Sequence, residues 1–192
     1  MAVPDRLILV KHAAPAIVPG IPARQWYLSD PGRQSIPRLA QALQPFQPER
    51  IVTSLEPKAI ETARLTAAAL RLPWNTSAGL HEHDRSNEPY DDLTTFEDKI
   101  RLAFSTPDEL VYGRETANQA LARFQGQIDS LAKAHPEEKL AVVSHGTVIS
   151  LFVAFHNSLD PFTIWKQLGL PSFAMLELPN FKLIELVSQI SA

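Results

Sequence analysis

The chain is 192 residues long, 45% hydrophobic and 20% charged, the balance of one ordinary folded domain rather than of a disordered or fibrous chain. It has six histidines and no cysteine, which excludes disulfides, zinc–thiolate sites, iron–sulfur clusters and cysteine nucleophiles and leaves the chemistry to His, Asp, Glu, Lys, Arg, Ser or Thr. Eighteen basic against 21 acidic residues leave a net charge of -3, which provides no global field for nucleic acid or an anionic membrane, although a local cluster can still hold a small anion.

No stretch reaches the roughly 18 apolar residues that a membrane span needs, and the apolar run in MAVPDRLILVKH is too short for a signal peptide, so a cytoplasmic chain is expected. Arg6 to Val10 (RLILV) reads as a strand buried on both faces of a parallel sheet, and it ends in Lys11-His12. Ile36, Leu39, Ala40 and Leu43 predict a helix over 33–43, stopped by Pro45 and Pro48. Arg50 to Thr53 is a second strand, followed by Ser54. Ala59, Ile60, Ala63, Ala67 and Leu70 then share one face of a helix over 56–70, with Pro57 suited to its first turn.

Segment 81–113 is rich in Asp, Glu and Asn, carries one modest helical pattern from Phe96 to Phe104, and is expected to be a lid-like excursion. Ala117, Ala120, Leu121, Phe124, Ile128 and Leu131 trace a long amphipathic helix. Lys139 to Ser144 is a third strand, after which His145-Gly146 leads into the apolar stretch Thr147 to Phe155. Phe173 to Leu178 and Phe181 to Val187, separated by Pro179-Asn180, predict a hairpin at a sheet edge. The alternation of strands and helices predicts a single α/β domain over 1–192 with a mainly parallel sheet.

Three strands thus end in polar residues: Lys11-His12, Ser54 with Lys58, and Ser144-His145-Gly146. Ligands of open α/β sheets bind beyond the carboxyl ends of the strands. Two imidazoles and two ammonium groups meeting there, with Lys58 in a first helical turn, describe a phosphate or sulfate site. A single histidine at a strand end is more often structural, and a lysine is usually a solvated charge; the shared position is the stronger argument.

Leu9-Val10-Lys11-His12-Ala13 resembles the Arg-His-Gly signature that follows the first strand in the histidine phosphatase (phosphoglycerate mutase-like) superfamily. Ser54-Leu55-Glu56-Pro57-Lys58-Ala59-Ile60-Glu61-Thr62-Ala63 is similar to its Ser-x-x-x-Arg-Ala-x-x-Thr-Ala segment, and Val142-Val143-Ser144-His145-Gly146 to its later strand ending in His-Gly. Leu28-Ser29-x-x-Gly32-x-Gln34 and Gly113-Arg114-Glu115-Thr116 resemble two further runs, so the likeness extends over about residues 7–155.

The resemblance implies a three-layer α/β/α fold with a mainly parallel central sheet and the C-terminal hairpin at an edge. It also implies phosphomonoester hydrolysis without metal or other cofactor, through a phosphohistidine on His12. Lys11, Lys58 and His145 would bind the phosphoryl group, and Glu82 in Leu80-His81-Glu82 would be the general acid and base, with Asp84 as its nearby rival. Ser54, Arg24 and Arg114 are further candidates for substrate contact, although Arg114 and Glu115 also suit a helix start. His81-x-His83 with Asp84 also fits a metal motif, but no second ligand cluster accompanies it.

Both arginines of the pattern are lysines here, which keep the charge and lose the two-pronged donor, and the glycine after the nucleophile is Ala13. Two classes follow. One is a phosphatase acting on a small phosphorylated substrate; the other is a degenerate relative that binds a phosphorylated metabolite or a protein without turnover. A phosphomutase is a weaker third, because 81–113 is short for an enclosing insertion.

Overall fold

The structure, a computed structural model, describes residues 6–88 and 92–190. Six strands form one sheet: β1 Arg6–Lys11, β2 Arg50–Thr53, β3 Trp74–Thr76, β4 Leu140–Ser144, β5 Ser172–Glu177 and β6 Lys182–Val187. Their order is β3-β2-β4-β1-β5-β6. The first four run parallel, and β5 is antiparallel to both β1 and β6. The sheet is therefore mainly parallel with a C-terminal hairpin at one edge.

Alternation along the strands explains the layering. Leu7 and Leu9 of β1, with Val52 and Val142, belong to one apolar cluster, whereas Ile8 and Val10, with Ile51, Ala141 and Val143, belong to another. Successive side chains of a strand point to opposite faces, so each cluster calls for its own helical cover. Helices α1 Asp30–Leu43 and α2 Pro57–Leu70 supply Ile36, Leu39, Ala59 and Ala63 to one side; α4 Ala117–Ala134 and α5 Gly146–Asn157 supply Phe124, Ile128, Ile149 and Phe152 to the other. Helices α3 Leu93–Ser105 and α6 Pro161–Gln167 extend this second layer. Each fully buried aliphatic side chain is worth about 1.5–3 kcal/mol.

Helix α1 starts three residues before the expected 33, because Ser29 caps it by accepting the Gly32 amide and Pro31 stands in its first turn. Helix α3 is also longer than its apolar pattern. Strand β3 and helix α6 lie outside the sequence expectations. The first is three residues long and partly exposed; the second has a single fully buried residue, Ile164. No helix among the described residues is long and apolar enough to cross a membrane.

Candidate active site

Because β2, β4 and β1 are neighbours, their carboxyl ends come together. Lys11 pairs with Ser144 in the sheet register, the His12 amide donates to Ser144 O at 3.0 Å, and the Ser54 amide to Val143 O at 3.0 Å. This register brings His12 and His145 face to edge, with ring centroids 5.1 Å apart and planes at 62°. Both rings are buried. His12 Nδ1 lies 2.8 Å from Ala13 O. A carbonyl only accepts, so the proton sits on Nδ1 and Nε2 carries the lone pair.

Burial, and then the neighbouring His145 and Lys58, push the His12 pKa well below the ordinary imidazole value; burial and Lys58 do the same to His145. Both rings are neutral at physiological pH. Ala13, fully buried, packs in the apolar cluster of α1 and α2, and its amide donates to Thr62 Oγ1 at 3.1 Å. Thr62 in turn donates to Lys58 O at 2.8 Å, so helix α2 holds the turn that carries His12.

The two lysines are anchored to protein acceptors. Lys58 Nζ, buried in the first turn of α2, donates to Ala23 O at 2.8 Å and to the Glu56 carboxylate. Glu56 is itself buried; its Oε1 accepts the Glu82 amide at 2.9 Å and lies 3.5 Å from His145 Nε2. That same ring nitrogen is 2.8 Å from Ser54 Oγ, and His145 Nδ1 is buried without a hydrogen-bond partner.

Lys11 Nζ donates to Leu168 O at 2.7 Å. Its side chain runs so close to Gly146 that a Cβ there would stand 3.1 Å from Lys11 Cε. An ammonium has three N–H donors, so each lysine keeps at least one for a ligand. Burial lowers the Lys11 pKa to about 8, against the opposing pull of Glu82. Lys11 therefore loses its charge as the pH rises through about 8. Phosphate binding followed by titration calorimetry is expected to weaken above that pH, and Lys11→Arg to remove this alkaline limb.

Glu82 sits at the opening of α5, where Oε2 accepts the Thr147 amide at 3.2 Å and Oε1 the amide of His83 at 2.9 Å. An anion is favoured at a helix N-terminus. The loop that presents Glu82 is clamped by Arg123 of α4. Nη1 donates to Gly79 O at 2.8 Å and His81 O at 2.9 Å, and Nη2 to Glu82 O at 3.3 Å. Along its other edge Arg123 also donates from Nε and Nη2 to the Glu115 carboxylate. Glu115 extends the clamp by accepting the Asp84 amide at 2.9 Å, and its carbonyl oxygen lies 2.7 Å from His83 Nε2.

Thus Glu115 serves the loop, while the start of α4 is built by the Thr116–Gln119 capping box. Arg123→Ala is expected to cost about 2–3 kcal/mol in denaturant unfolding, a partly buried pair being worth less than a fully buried one. It would also release the carbonyls of Gly79, His81 and Glu82, and with them the loop that presents the Glu82 side chain.

His12, His145, Glu82, Lys58 and Ser54 are brought together. Lys11 borders the same place from beneath Leu168. Arg24 and Arg114 are exposed and stand near Asp84: burial raises the Asp84 pKa, but hydrogen bonds from Ser86, then Arg114 and Arg24, bring it below the usual value. His83, buried, is engaged with a backbone carbonyl, and His81, half-buried, is lowered by burial and Arg123. Glu56 and Arg123 escaped sequence reasoning. Glu56 stands two residues from Lys58, a spacing that no helix-pair rule singles out, and Arg123 lies on the polar side of an amphipathic helix.

Residues 20–179 match the histidine phosphatase superfamily (branch 1), and the chain belongs to that superfamily. The matched segment begins after Lys11-His12-Ala13. No curated protein is similar enough to count as a match. Among solved structures, the mycobacterial glucosyl-3-phosphoglycerate phosphatase is 18% identical with a TM-score of 0.73, over 98% of this chain and 99% of that one. The phosphoserine phosphatase of Entamoeba histolytica, in complex with 3-phosphoglyceric acid, is 17% identical with a TM-score of 0.75, over 96% and 97%. YhfR of Bacillus stearothermophilus is 19% identical with a TM-score of 0.73, over 97% of each chain. At these identities the likeness is one of fold.

Proposed function

We propose that the protein is a phosphomonoester hydrolase that works through a phosphohistidine on His12. The observation that carries this reading is the His12 ring itself: Nδ1 is tied to Ala13 O, which leaves a neutral Nε2 as the nucleophile at the carboxyl end of the central strand β1. In the first step Nε2 attacks phosphorus, a P–N bond forms, the P–O bond to the leaving group breaks, and Glu82 gives that oxygen its proton. In the second step Glu82 takes a proton from water, the resulting hydroxide attacks phosphorus, and the P–N bond breaks to release inorganic phosphate and neutral His12.

Lys58, Lys11 and His145 stabilise the phosphoryl oxygens between these steps, and Ser54 orients His145. The substrate class is a small phosphorylated metabolite, in keeping with the phosphatases named among the structural neighbours, and segment 81–113 with Arg24 and Arg114 selects it.

A second reading, a phosphate-binding relative without turnover, is favoured by one observation: the ammonium groups of Lys11 and Lys58 already bond Leu168 O, Ala23 O and Glu56. Incubation with an aryl phosphate decides between them. Turnover and an acid-labile phosphoenzyme that vanish in His12→Ala support the hydrolase; phosphate binding with neither supports the second reading.

A further inference from the structure

The phosphoryl-transfer steps give no task to Glu56, although its carboxylate is buried inside the site. It faces Lys58 from α2, His145 Nε2 from the opening of α5 at 3.5 Å, and the Glu82 amide from the loop before α3 at 2.9 Å. Its own amide donates to Ser54 Oγ at 3.2 Å, and its charge also reaches His81. Beside the two buried imidazoles, Lys58 lies against Glu56 and Lys11 within the field of Glu82. A phosphate site of this design without Glu56 would carry one more positive charge. Glu56 offsets Lys58, the cation in the first turn of α2, by direct contact.

We propose that Glu56 is a specificity-determining counter-ion that sets the charge of the oxyanion the site accepts, disfavouring a doubly charged phosphoryl group relative to a singly charged one. This rests on the reading of the site as a phosphoryl site. The ligand class it favours is a tetrahedral oxyanion of single charge, whose biological form is a phosphomonoester taken up together with a proton. Coulomb repulsion from a fixed carboxylate acts twice as strongly on a dianion as on a monoanion at the same place. Glu56 therefore changes the ratio of the two affinities and not only their level. A variant that only loosened Lys58 would move the ratio the other way, because losing the pull of a cation weakens a dianion more than a monoanion.

The test uses sulfate as the fixed dianion and perrhenate as the fixed monoanion, both tetrahedral and neither titrating near neutral pH. Their binding is measured by calorimetry at one low ionic strength with the wild type, Glu56→Gln and Glu56→Ala. The wild type is expected to bind sulfate no more tightly than perrhenate. The affinity ratio of sulfate to perrhenate is expected to rise by about tenfold or more in both variants, the scale of one unit charge a few ångströms away in a partly screened site.

An unchanged or falling ratio overturns the proposal, as does a wild type that prefers sulfate, and as does failure of every form to bind either ion. The hydrolase reading is judged separately by the phosphoenzyme. A shifted ratio without phosphoenzyme keeps the counter-ion and removes the hydrolase; a phosphoenzyme with an unshifted ratio does the reverse.

Discussion

His12→Ala is expected to lose turnover of an aryl phosphate by on the order of 10⁴-fold or more, together with the whole of the acid-labile phosphoenzyme. The size follows from what the ring does. In the proposed mechanism it provides the atom that bonds to phosphorus, and its deletion leaves only the positioning and charge stabilisation proposed for Lys58, Lys11 and His145. The backbone bond from residue 12 to Ser144 O does not depend on the side chain, so far-UV circular dichroism and the unfolding midpoint should report a folded protein.

The low pKa of His12, caused first by burial and then by His145 and Lys58, has its own signature. The ring stays neutral below the pH at which a free imidazole becomes protonated. Phosphoenzyme formation in the wild type should therefore persist at pH 6 without the acid limb of an ordinary histidine. Turnover that survives in His12→Ala would mean direct attack by water and would remove the covalent mechanism.

The parts of the site that could be read from the sequence are those carried by strand ends. RLILV, RIVT and KLAVVS are short apolar runs that end abruptly in polar residues, and an α/β sheet allows few arrangements for them, so the meeting of His12, Ser54 and His145 followed from topology. Helix α2 was legible for the same reason, with alanines on its buried face and Pro57 at its start.

Strand β3 was not, because three partly exposed residues carry no period. Glu56 and Arg123 were hidden for a different reason. Their roles arise from partners far along the chain, Glu82 and His145 for the first and the carbonyls of Gly79, His81 and Glu82 for the second, and a charged residue with remote partners looks, in sequence, like any solvated charge. The replacement of both arginines by lysine was plain in the sequence. Its setting was not: Lys58 is held by a carboxylate two residues away and by Ala23 O, which restores some of the orientation that a lysine lacks on its own.

Glu82→Gln is expected to slow hydrolysis of an alkyl phosphate by about 10²–10⁴-fold while affecting a nitrophenyl phosphate much less. An alkoxide is a poor leaving group and needs a proton as the P–O bond breaks; a nitrophenolate departs without one. The two classes of substrate thus separate proton donation from phosphate binding, which a single rate would confound.

Glutamine occupies the same space but has one oxygen where the carboxylate uses two, toward the His83 and Thr147 amides. One amide donor will then face another donor, and a loss of about 1–2 kcal/mol in stability is expected from that mismatch. This structural cost is the same for both substrates, so it cannot generate the difference between them. Asp84→Asn is the matching control, since Asp84 accepts the Ser86 amide at 3.0 Å and has the exposed Arg114 and Arg24 nearby. Equal losses on both substrates in Glu82→Gln, or a leaving-group-dependent loss in Asp84→Asn, would transfer the acid–base role away from Glu82.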